Sequence, residues 1–460
     1  MPVTPLQTRV TRFLDAHGVR YRILPHRKPV FTVADGARER GVREAEMIWF
    51  PLPNPPKRNR QGENAMTEPT TTYVWPGETH FGFGVVARTG REARKHGASH
   101  VFIVTDPGVV AAGLLEPVTH SLDEVGLPYT LFDGAVPNPD VATVDGAAAA
   151  CRQSGADLII GLGGGSALDT AKGVRLLVGG PPEASIAEYA LILRSKRRPA
   201  PPLCDMPPML AIPTTAGTAS EVTPWAIVTR PEEHFKFGVG GAFLIPTAAL
   251  VDPELTLSLP PHLTAATGID ALSHALEAYV STNPAPAVDA LLLDAIERVG
   301  RSLRVAVAQG SNRRARYEMA LASYMAGVGF STRWLGACHS LAHQLSGFAN
   351  VHHGTAIALM LPAQMAYSLP GALERYARVA EALDPSDPPT GSLRRRAEAA
   401  VERVRQLIAD VGLPARLRDV GVTEEMLPAM AKSAYRDLNW TTNPRHVDEA
   451  ALEHIYRQAF

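Results

Sequence analysis

Residues 157–172, DLIIGLGGGSALDTAK, have the pattern of a buried strand, a glycine turn and a helix, and they constrain the fold more than any other part of the 460-residue chain. Further apolar strands are predicted at 99–105, 129–132 and 209–213, and helices are predicted between them, for example at 141–155. Because parallel neighbouring strands need a crossover connection, this alternation is typical of a doubly wound parallel sheet. The sequence therefore predicts an α/β domain.

The sequence changes character near residue 255. Beyond it, Ala/Leu-rich segments with a 3.6-residue apolar period dominate, such as 289–307 and 393–411. This period indicates amphipathic helices. We therefore expect an α/β domain over residues 66–255 and an all-α domain over residues 256–460; the motifs below point to dinucleotide binding in the first and metal binding in the second.

The glycine turn at 163–165 is a candidate phosphate site. Free N–H groups at a helix start attract phosphate, and missing Cβ atoms let a pyrophosphate come close. The run is neither the G-x-G-x-x-G fingerprint nor a P-loop, so a plain tight turn also explains it. Asp106, after the strand at 99–105, could bind a ribose diol or cap a helix. The hydroxyl-rich run 213–223, PTTAGTASEVT, is expected at the same sheet edge as a cofactor contact.

Four of the 15 histidines fall within residues 336–354, GACHSLAHQLSGFANVHHG. Two pairs of metal-binding side chains have the i,i+4 spacing of one helix face; they are Asp270 with His274 and His339 with His343. His353 follows a break where the chain can turn back toward them. Imidazole and carboxylate are ligands of divalent first-row metals. We interpret this pattern as a metal site, although helix-surface or core histidines would also explain each residue taken singly.

Four motifs together are specific: GGGSALDTAK, PTTAGTASEVT, GIDALSHALEAY and CHSLAHQLSGFANVHHG. Their order and spacing resemble those of the iron-containing, group III alcohol dehydrogenases over residues 73–460. The resemblance implies a dehydroquinate synthase-like fold with a catalytic cleft between an α/β and an all-α domain. It also implies a metal-dependent oxidoreductase that transfers a hydride between a small primary alcohol or its aldehyde and NAD(H). Fe(II) is the implied metal, and Zn(II) is a possible occupant.

The resemblance also implies roles for individual residues. The metal ligands carried over are Asp270, His274, His339 and His353. His343 matches a catalytic-site histidine near the nicotinamide that is not a ligand. Asp106 matches the acid that binds the adenosine ribose. The other cofactor-binding positions are Asn138, Gly164, Gly165, Ser166, Thr214, Thr215, Thr218, Thr223 and Lys236.

The chain departs from the family pattern on the side expected to shape the substrate site. The departures are Ala219, Gln344, Ser346 and His352. We expect Trp225 to narrow the pocket, and Cys338, Phe348 and the residues around His352 to complete it.

Two other enzyme types have related folds. A dehydroquinate synthase-like lyase needs several Lys/Arg side chains for its anionic substrate, and only Lys172 and Lys236 lie near the motifs. A metal-independent reductase of the maleylacetate type does not need the ligand set that is intact here. A non-enzymatic metal or nucleotide binder does not need both sites together.

Bulk composition narrows the partners and the location. The net charge is −1, so neither a nucleic acid nor an anionic membrane is expected as a partner. Three widely spaced cysteines do not form a disulfide framework, which favours the reducing cytoplasm. A small-molecule alcohol or aldehyde and a second copy of the chain, in a homodimer, are the expected partners.

An extra fragment precedes the dehydrogenase-like part. Residues 4–48, including FLDAHGVRYRILPHRKPVFTVADGARERGV, resemble the opening of the YbaK-type aminoacyl-tRNA deacylases and stop before that family's core would be complete. A proline-rich stretch without apolar period follows and reads as a disordered linker up to residue 65. We predict that residues 1–65 are dispensable for catalysis and that Met66 can serve as the start.

Overall fold

The protein is described here from a computed structural model that covers residues 71–192 and 195–460. The deacylase-like fragment and the linker predicted within residues 1–65 lie outside these residues. The α/β part and the helical part belong to one compact unit. Among the helices of the described ranges, none combines the length and the apolar character needed to cross a bilayer.

A six-stranded parallel sheet forms the centre of the first part, with the strand order β1-β8-β5-β4-β2-β3. The strands of the described chain are β1 (Glu78–Phe81), β2 (Val101–Val104), β3 (Tyr129–Phe132), β4 (Leu158–Gly163), β5 (Met209–Pro213), β6 (Trp225–Arg230), β7 (Phe235–Gly240) and β8 (Ala248–Val251). In register, Val101 pairs with Leu158 and Ile159 with Met209. β2, β4 and β5 are buried throughout because helices cover both faces of the sheet. The predicted doubly wound parallel sheet is confirmed.

Five helices accompany the sheet. They are α1 (Thr89–Lys95), α2 (Pro107–Ala111), α3 (Glu116–Glu124), α4 (Val141–Ser154) and α5 (Gly165–Val178). Asp106 caps α2 by accepting from the backbone N–H of Val109, and Asp140 caps α4 by accepting from that of Thr143. The helix predicted at 141–155 agrees with α4 within one residue, and the helix predicted after the glycine turn is α5.

An antiparallel ribbon of β6 and β7 was not predicted from the sequence. The turn between its strands contains Pro231 and His234 but no glycine, so it lacks the usual hairpin signal. The ribbon is fixed to the first part by backbone hydrogen bonds of 2.8 Å from Thr229 N to Pro139 O and from Leu191 N to Gly238 O. It carries residues of the site described below.

The second part is helical, as predicted. Its helices are α6 (Pro261–Val280), α7 (Asp289–Ala308), α8 (Arg313–Arg333), α9 (Ala337–Ala349), α10 (His353–Ser368), α11 (Leu373–Leu383), α12 (Leu393–Asp410), α13 (Leu427–Ala434) and α14 (Glu449–Ala459). α6 is buried from Thr264 to Val280 and lies at the centre of the helical core. The predicted boundary at 255/256 lies between β8 and α6 and stays a prediction.

Candidate active site

Three helices bring one carboxylate and three imidazoles together. Asp270 and His274 lie on α6, His339 lies on α9, and His353 begins α10. The Nε2 atoms of His274, His339 and His353 lie 3.7, 3.7 and 3.4 Å from Oδ1 of Asp270. Ligand atoms of Asp270, His339 and His353 also lie within 4.8 Å of one another. The four residues expected to bind metal therefore meet at one point.

A close helix contact places His353 at this point. α9 ends at Asn350, whose backbone is left-handed with φ of 51°. A Cβ at Gly354 would lie 2.3 Å from the carbonyl oxygen of Ala266, so glycine is required where α10 begins against α6. The break predicted after α9 thus turns the chain back toward Asp270.

The cluster has the chemistry of a cation site. In the described part of the chain, Asp270 Oδ1, His339 Nε2 and His353 Nδ1 are buried without a hydrogen-bond partner. Burial lowers the pKa of His274 to about 4 and that of His353 to about 3, so both rings are neutral and can donate a lone pair. Burial opposes ionisation of Asp270, but its interactions with the surrounding imidazoles of His274, His353 and His339 hold its pKa well below its usual range. A divalent cation fits this donor set.

Glu277 orients one of the imidazoles. Nδ1 of His339 lies 2.5 Å from Oε2 of Glu277, and the backbone N–H of Cys338 donates to Oε1 of the same carboxylate at 2.8 Å. Nδ1 of His274 lies 3.2 Å from the carbonyl oxygen of Gly217. Hydrogen bonds at Nδ1 fix the tautomer and leave Nε2 free for a metal. Glu277 was not predicted from the sequence, although it follows His274 by three residues on the same helix.

His343 points into the same space but bonds elsewhere. Its Nδ1 lies 2.7 Å from Oδ2 of Asp437, and its ring centroid is 5.4 Å from that of His353. Asp437 also accepts from the hydroxyl of Ser340 and from the backbone N–H of Asn439. Burial lowers the pKa of His343 although Asp437 opposes the shift. Asp437 lies 94 residues from His343 in the sequence, and no local sequence pattern predicted this pair.

The glycine turn meets the hydroxyl-rich loop at the carboxyl ends of β4 and β5. Thr214 N donates to Gly163 O at 3.0 Å, and a Cβ at Gly165 would lie 2.6 Å from Cγ2 of Thr218. A Cβ at Gly164 would lie 3.4 Å from Cγ2 of Thr215. Glycine at position 165 therefore allows the turn to pack closely against the hydroxyl-rich loop.

Asp106 caps a helix and also lies beside the glycine turn. Its Oδ1 accepts from the backbone N–H of Val109 at 3.0 Å and caps α2. Its Oδ2 lies 3.2 Å from the place where a Cβ of Gly163 would be. One carboxylate oxygen thus serves the helix, and the other lies beside the glycine turn.

Lys236 reaches the cofactor side from the ribbon. Its Nζ donates to Oδ1 of Asn138 at 2.6 Å, and the backbone N–H of Asn138 donates to Oγ of Ser166 at 3.3 Å. Burial lowers the pKa of Lys236 to about 8. Asn138 has a left-handed backbone, with φ of 55°, which asparagine adopts more readily than most residues.

One cavity, with about 170 Å³ of free volume, connects the two groups. Its lining includes the predicted residues Asn138, Gly165, Ser166, Thr218, Thr223, Lys236, Asp270, His274, His339, His343 and His353. A glycine turn suited to pyrophosphate and a cation site therefore open into one space.

Comparison with known proteins agrees with this geometry. Residues 76–253 match the family described as iron-containing alcohol dehydrogenase, and residues 264–460 match the C-terminal part of the Fe-containing alcohol dehydrogenase family. The chain belongs to the iron-containing alcohol dehydrogenase family. It is a metal-dependent, NAD-linked oxidoreductase of alcohols and aldehydes.

Relatives within this family resemble the chain over most of their length. It is 37% identical over 390 residues to choline dehydrogenase of Bacillus subtilis (strain 168), covering 85% of this chain and 95% of the relative. It is 40% identical over 375 residues to lactaldehyde reductase of Escherichia coli (strain K12), covering 82% of this chain and 95% of the relative. The crystal structure of a 1,3-propanediol oxidoreductase superposes with a TM-score of 0.79 at 37% identity, covering 85% of this chain and all of that one.

The expected substrate wall of this alcohol dehydrogenase was partly wrong. Trp225 lines the cavity, as expected, but Cys338 and Phe348 do not, and among residues 350–354, all within the described chain, His353 alone does. Cys338 is fully buried within α9, and Phe348 packs against His234 at a centroid distance of 5.6 Å. The reason is that α9 continues through Phe348 and turns these side chains away from the residues expected to bind metal. The apolar wall instead comes from the ribbon and the end of α8, through Trp225, Phe330, Trp334 and Leu335.

Two departures from the family pattern have packing roles. Gln344 is buried, donates to Ser340 O and accepts from the hydroxyl of Ser433 at 2.8 Å, so it joins α9 to α13. The methyl group of Ala219 lies where Gly327 leaves space, since a Cβ on Gly327 would be 2.5 Å from it.

No role was predicted for Asp169, although it lies within the motif GGGSALDTAK. Its Oδ1 accepts from the hydroxyl of Ser220 at 2.6 Å, and its Oδ2 accepts from the backbone N–H of Ile227 at 2.9 Å. α5 therefore holds both the hydroxyl-rich loop and the ribbon in place.

Proposed function

We propose that the protein interconverts a short primary alcohol and its aldehyde with NAD(H), and that Asp270, His274, His339 and His353 bind Fe(II). The convergence of three imidazole Nε2 atoms on Asp270 Oδ1, in the same cavity as the glycine turn, carries the proposal. When bound, the metal supplies a Lewis acid beside the substrate oxygen, and the nicotinamide accepts or supplies the hydride.

His343 is the proposed proton acceptor. Alcohol oxidation moves a hydride from the carbinol carbon to NAD⁺ and releases one proton, and aldehyde reduction reverses both transfers. Because a carboxylate only accepts, Nδ1 of His343 donates to Asp437, which leaves Nε2 able to take the proton. The lowered pKa keeps the ring neutral and ready to accept at neutral pH.

The cofactor side has a matching set of proposed roles. The glycine turn would bind the pyrophosphate, through Gly164, Gly165 and Ser166 at the start of α5. Asp106 would accept from the adenosine ribose through Oδ2 and would repel a 2′-phosphate, which favours NAD(H) over NADP(H). The remaining proposed contacts are those of Asn138, Thr214, Thr215, Thr218, Thr223 and Lys236.

The lyase alternative has little support in the cavity. Among its lining residues, all of which belong to the described ranges, Lys236 is the only lysine or arginine. A substrate with a carboxylate and a phosphate would need several such cations. The apolar wall of Trp225, Phe330 and Trp334 suits an uncharged carbon chain instead.

Metal reconstitution tests the function. The apo-protein is loaded anaerobically with Fe(II) or Zn(II), and NADH absorbance is followed with NAD⁺ and a panel of primary alcohols. We expect turnover with short alcohols and more activity with Fe(II). Zn(II) binds such sites more tightly in the Irving–Williams order, so the iron assignment depends on the family and not on affinity. Greater activity with Zn(II) would overturn the iron assignment alone.

His274→Ala tests the ligand set. Removing one of the four ligands should abolish metal retention and turnover together, and Lys432→Ala, at an exposed position on α13, is the control. Turnover retained by His274→Ala would show that the assigned ligands are wrong.

Cytoplasmic location and homodimeric assembly complete the proposal. The first follows from cysteine usage, and the second is an expectation from the sequence. Cell fractionation tests the location, and analytical ultracentrifugation of the full chain tests the dimer; a monomer at assay concentration would overturn it.

A further inference from the structure

Trp334 has a backbone conformation that is nearly confined to glycine. It follows the last residue of α8, with φ of 63° and ψ of −171°. A side chain at this combination of angles is strained, and such residues persist only where their surroundings fix them; they cluster at functional sites. A tryptophan at this position therefore needs an explanation beyond helix termination, for which glycine would serve better.

Hydrogen bonds hold the residues on both sides of Trp334 in place. The hydroxyl of Ser281 donates to the carbonyl oxygen of Arg333 at 2.7 Å, and the Arg333 guanidinium donates to Asn283 O at 2.8 Å. On the other side, the hydroxyl of Thr442 donates to the carbonyl oxygen of Leu335 at 2.5 Å. These contacts hold the unfavourable backbone and with it the direction of the indole.

The indole of Trp334 meets a second indole in the cavity. Its ring centroid lies 5.2 Å from that of Trp225, with the planes at 79°, an edge-to-face contact. Trp225 is itself fixed: its ring covers Gly240, where a Cβ would lie 2.1 Å away, and its carbonyl oxygen accepts from the buried Lys172 at 2.6 Å. Neither ring can move aside without disturbing its own anchor.

This pair of indoles lies beside the metal ligands. Phe330, one helical turn before Trp334, stacks on His274 with a centroid distance of 4.5 Å. Trp225, Trp334, His274 and Phe330 all line the same cavity. A carbon chain extending from an alcohol oxygen at the metal ligands therefore meets the two indoles.

We propose that Trp334, held by Trp225, determines specificity by limiting the length of the carbon chain that the site accepts. The proposal depends on the alcohol dehydrogenase function proposed above. It assigns a role to a residue whose strained backbone is held by contacts with Ser281 and Thr442. The chemical class selected is that of short, unbranched primary alcohols and their aldehydes.

Trp334→Gly is the decisive variant because glycine relieves the backbone strain while it removes the wall. kcat/KM is measured for the straight-chain alcohols from ethanol to hexanol with the Fe(II)-loaded, full-length protein. We expect the wild type to prefer the short members and the variant to shift toward the long ones. One methylene in a fitted apolar pocket changes selectivity by about tenfold or more, so the hexanol-to-ethanol ratio should rise at least tenfold, mainly through KM.

Matched variants separate the wall from general effects. Trp75→Ala removes an exposed tryptophan outside the cavity, 54% accessible, and should leave the profile unchanged. Trp225→Leu widens the same wall from the regular strand β6. This variant should shift the chain-length profile of kcat/KM in the same direction. If Trp334→Gly does not fold, as judged by circular dichroism, the Trp225→Leu profile decides.

The outcomes are distinct. A folded, active Trp334→Gly variant with the wild-type chain-length profile overturns the specificity role and leaves the dehydrogenase function intact. A wild type with no activity on any alcohol overturns the function itself. A wild type that already prefers hexanol overturns the length limit directly.

Discussion

Glu277 and His339 form a buried pair in which Oε2 of the carboxylate lies 2.5 Å from Nδ1 of the imidazole. Both side chains are almost fully buried, so neither can exchange its partner for water. The contact leaves Nε2 of His339 facing Asp270, 3.7 Å away. A residue outside the cavity lining therefore controls the direction of a proposed metal ligand.

Glu277→Gln should weaken metal binding by about 10- to 100-fold, which is typical for the partner of a metal-binding histidine. The amide keeps the size of the side chain but not its charge. Metal content after graded chelator competition measures the effect, and Glu254→Gln, an exposed residue paired with Arg313, is the control. Unchanged metal retention in Glu277→Gln would show that Glu277 serves packing alone.

Asp106→Asn should relax the preference for NAD(H) without destabilising the protein. An asparagine can still cap α2 at Val109 N, but it no longer repels a 2′-phosphate. We expect the ratio of kcat/KM for NAD⁺ to that for NADP⁺ to fall by about tenfold, an electrostatic change of about 1.4 kcal/mol. Asp140→Asn, which retains the cap of α4, is the control. It should change neither the ratio of kcat/KM for the two cofactors nor the free energy of unfolding. Equal use of both cofactors by the wild type would reduce Asp106 to a helix cap.

Glu221→Gln should flatten the pH dependence of stability between pH 4.5 and 7. Burial raises the pKa of Glu221 to about 7, from an ordinary value of 4.5. The folded state then binds this proton more tightly than the unfolded chain, so the contribution of Glu221 is fully present below pH 4.5 and is lost as the pH rises toward 7. The loss is at most about 3 kcal/mol. Urea unfolding at several pH values measures it.

The matched control for this experiment is Glu402→Gln, whose side chain is 68% exposed. It should leave the slope of stability against pH unchanged. If Glu221→Gln and Glu402→Gln give the same slope, Glu221 does not titrate in this range.

A chain beginning at Met66 should keep the full kcat/KM, whereas one beginning at Pro76 should be less stable. The difference lies in residues 71–75, which contact the helical part. The hydroxyl of Thr71 donates to Pro284 O, and Val74 N donates to the Thr332 hydroxyl at 2.9 Å. Thermal unfolding and steady-state kinetics of both truncated chains check this. Insolubility or low activity of the Met66 chain would make residues 1–65 part of the enzyme.

Much of the site could be predicted because its parts are local. The pairs Asp270/His274 and His339/His343 are each four residues apart on one helix, and the helix geometry alone places both members on one face. Likewise, a buried strand followed by glycines and a helix start produces an anion-binding turn without help from distant residues.

The predicted substrate wall was partly wrong because it was inferred from residues that are close to the expected ligands in sequence. Cys338 and Phe348 are near the ligands in sequence, but position along α9 directs them away from the cavity. The ribbon of β6 and β7 was missed because its turn lacks glycine. The sequence therefore did not show that this ribbon places Trp225 and Lys236 in the cavity.

The sequence by itself determined the order of most strands and helices outside the ribbon, the position of the glycine turn and the face of each helix that carries a possible ligand, because these depend on periodicity and backbone freedom within a few residues. Tertiary structure alone decided which of these faces meet. Asp437 reaches His343 across 94 residues, and Lys236 reaches Asn138 across 98. Such contacts depend on how whole elements pack, and no short stretch of sequence contains that information. The strained backbone of Trp334 is of the same kind, since it persists only through contacts with residues that are distant in the chain.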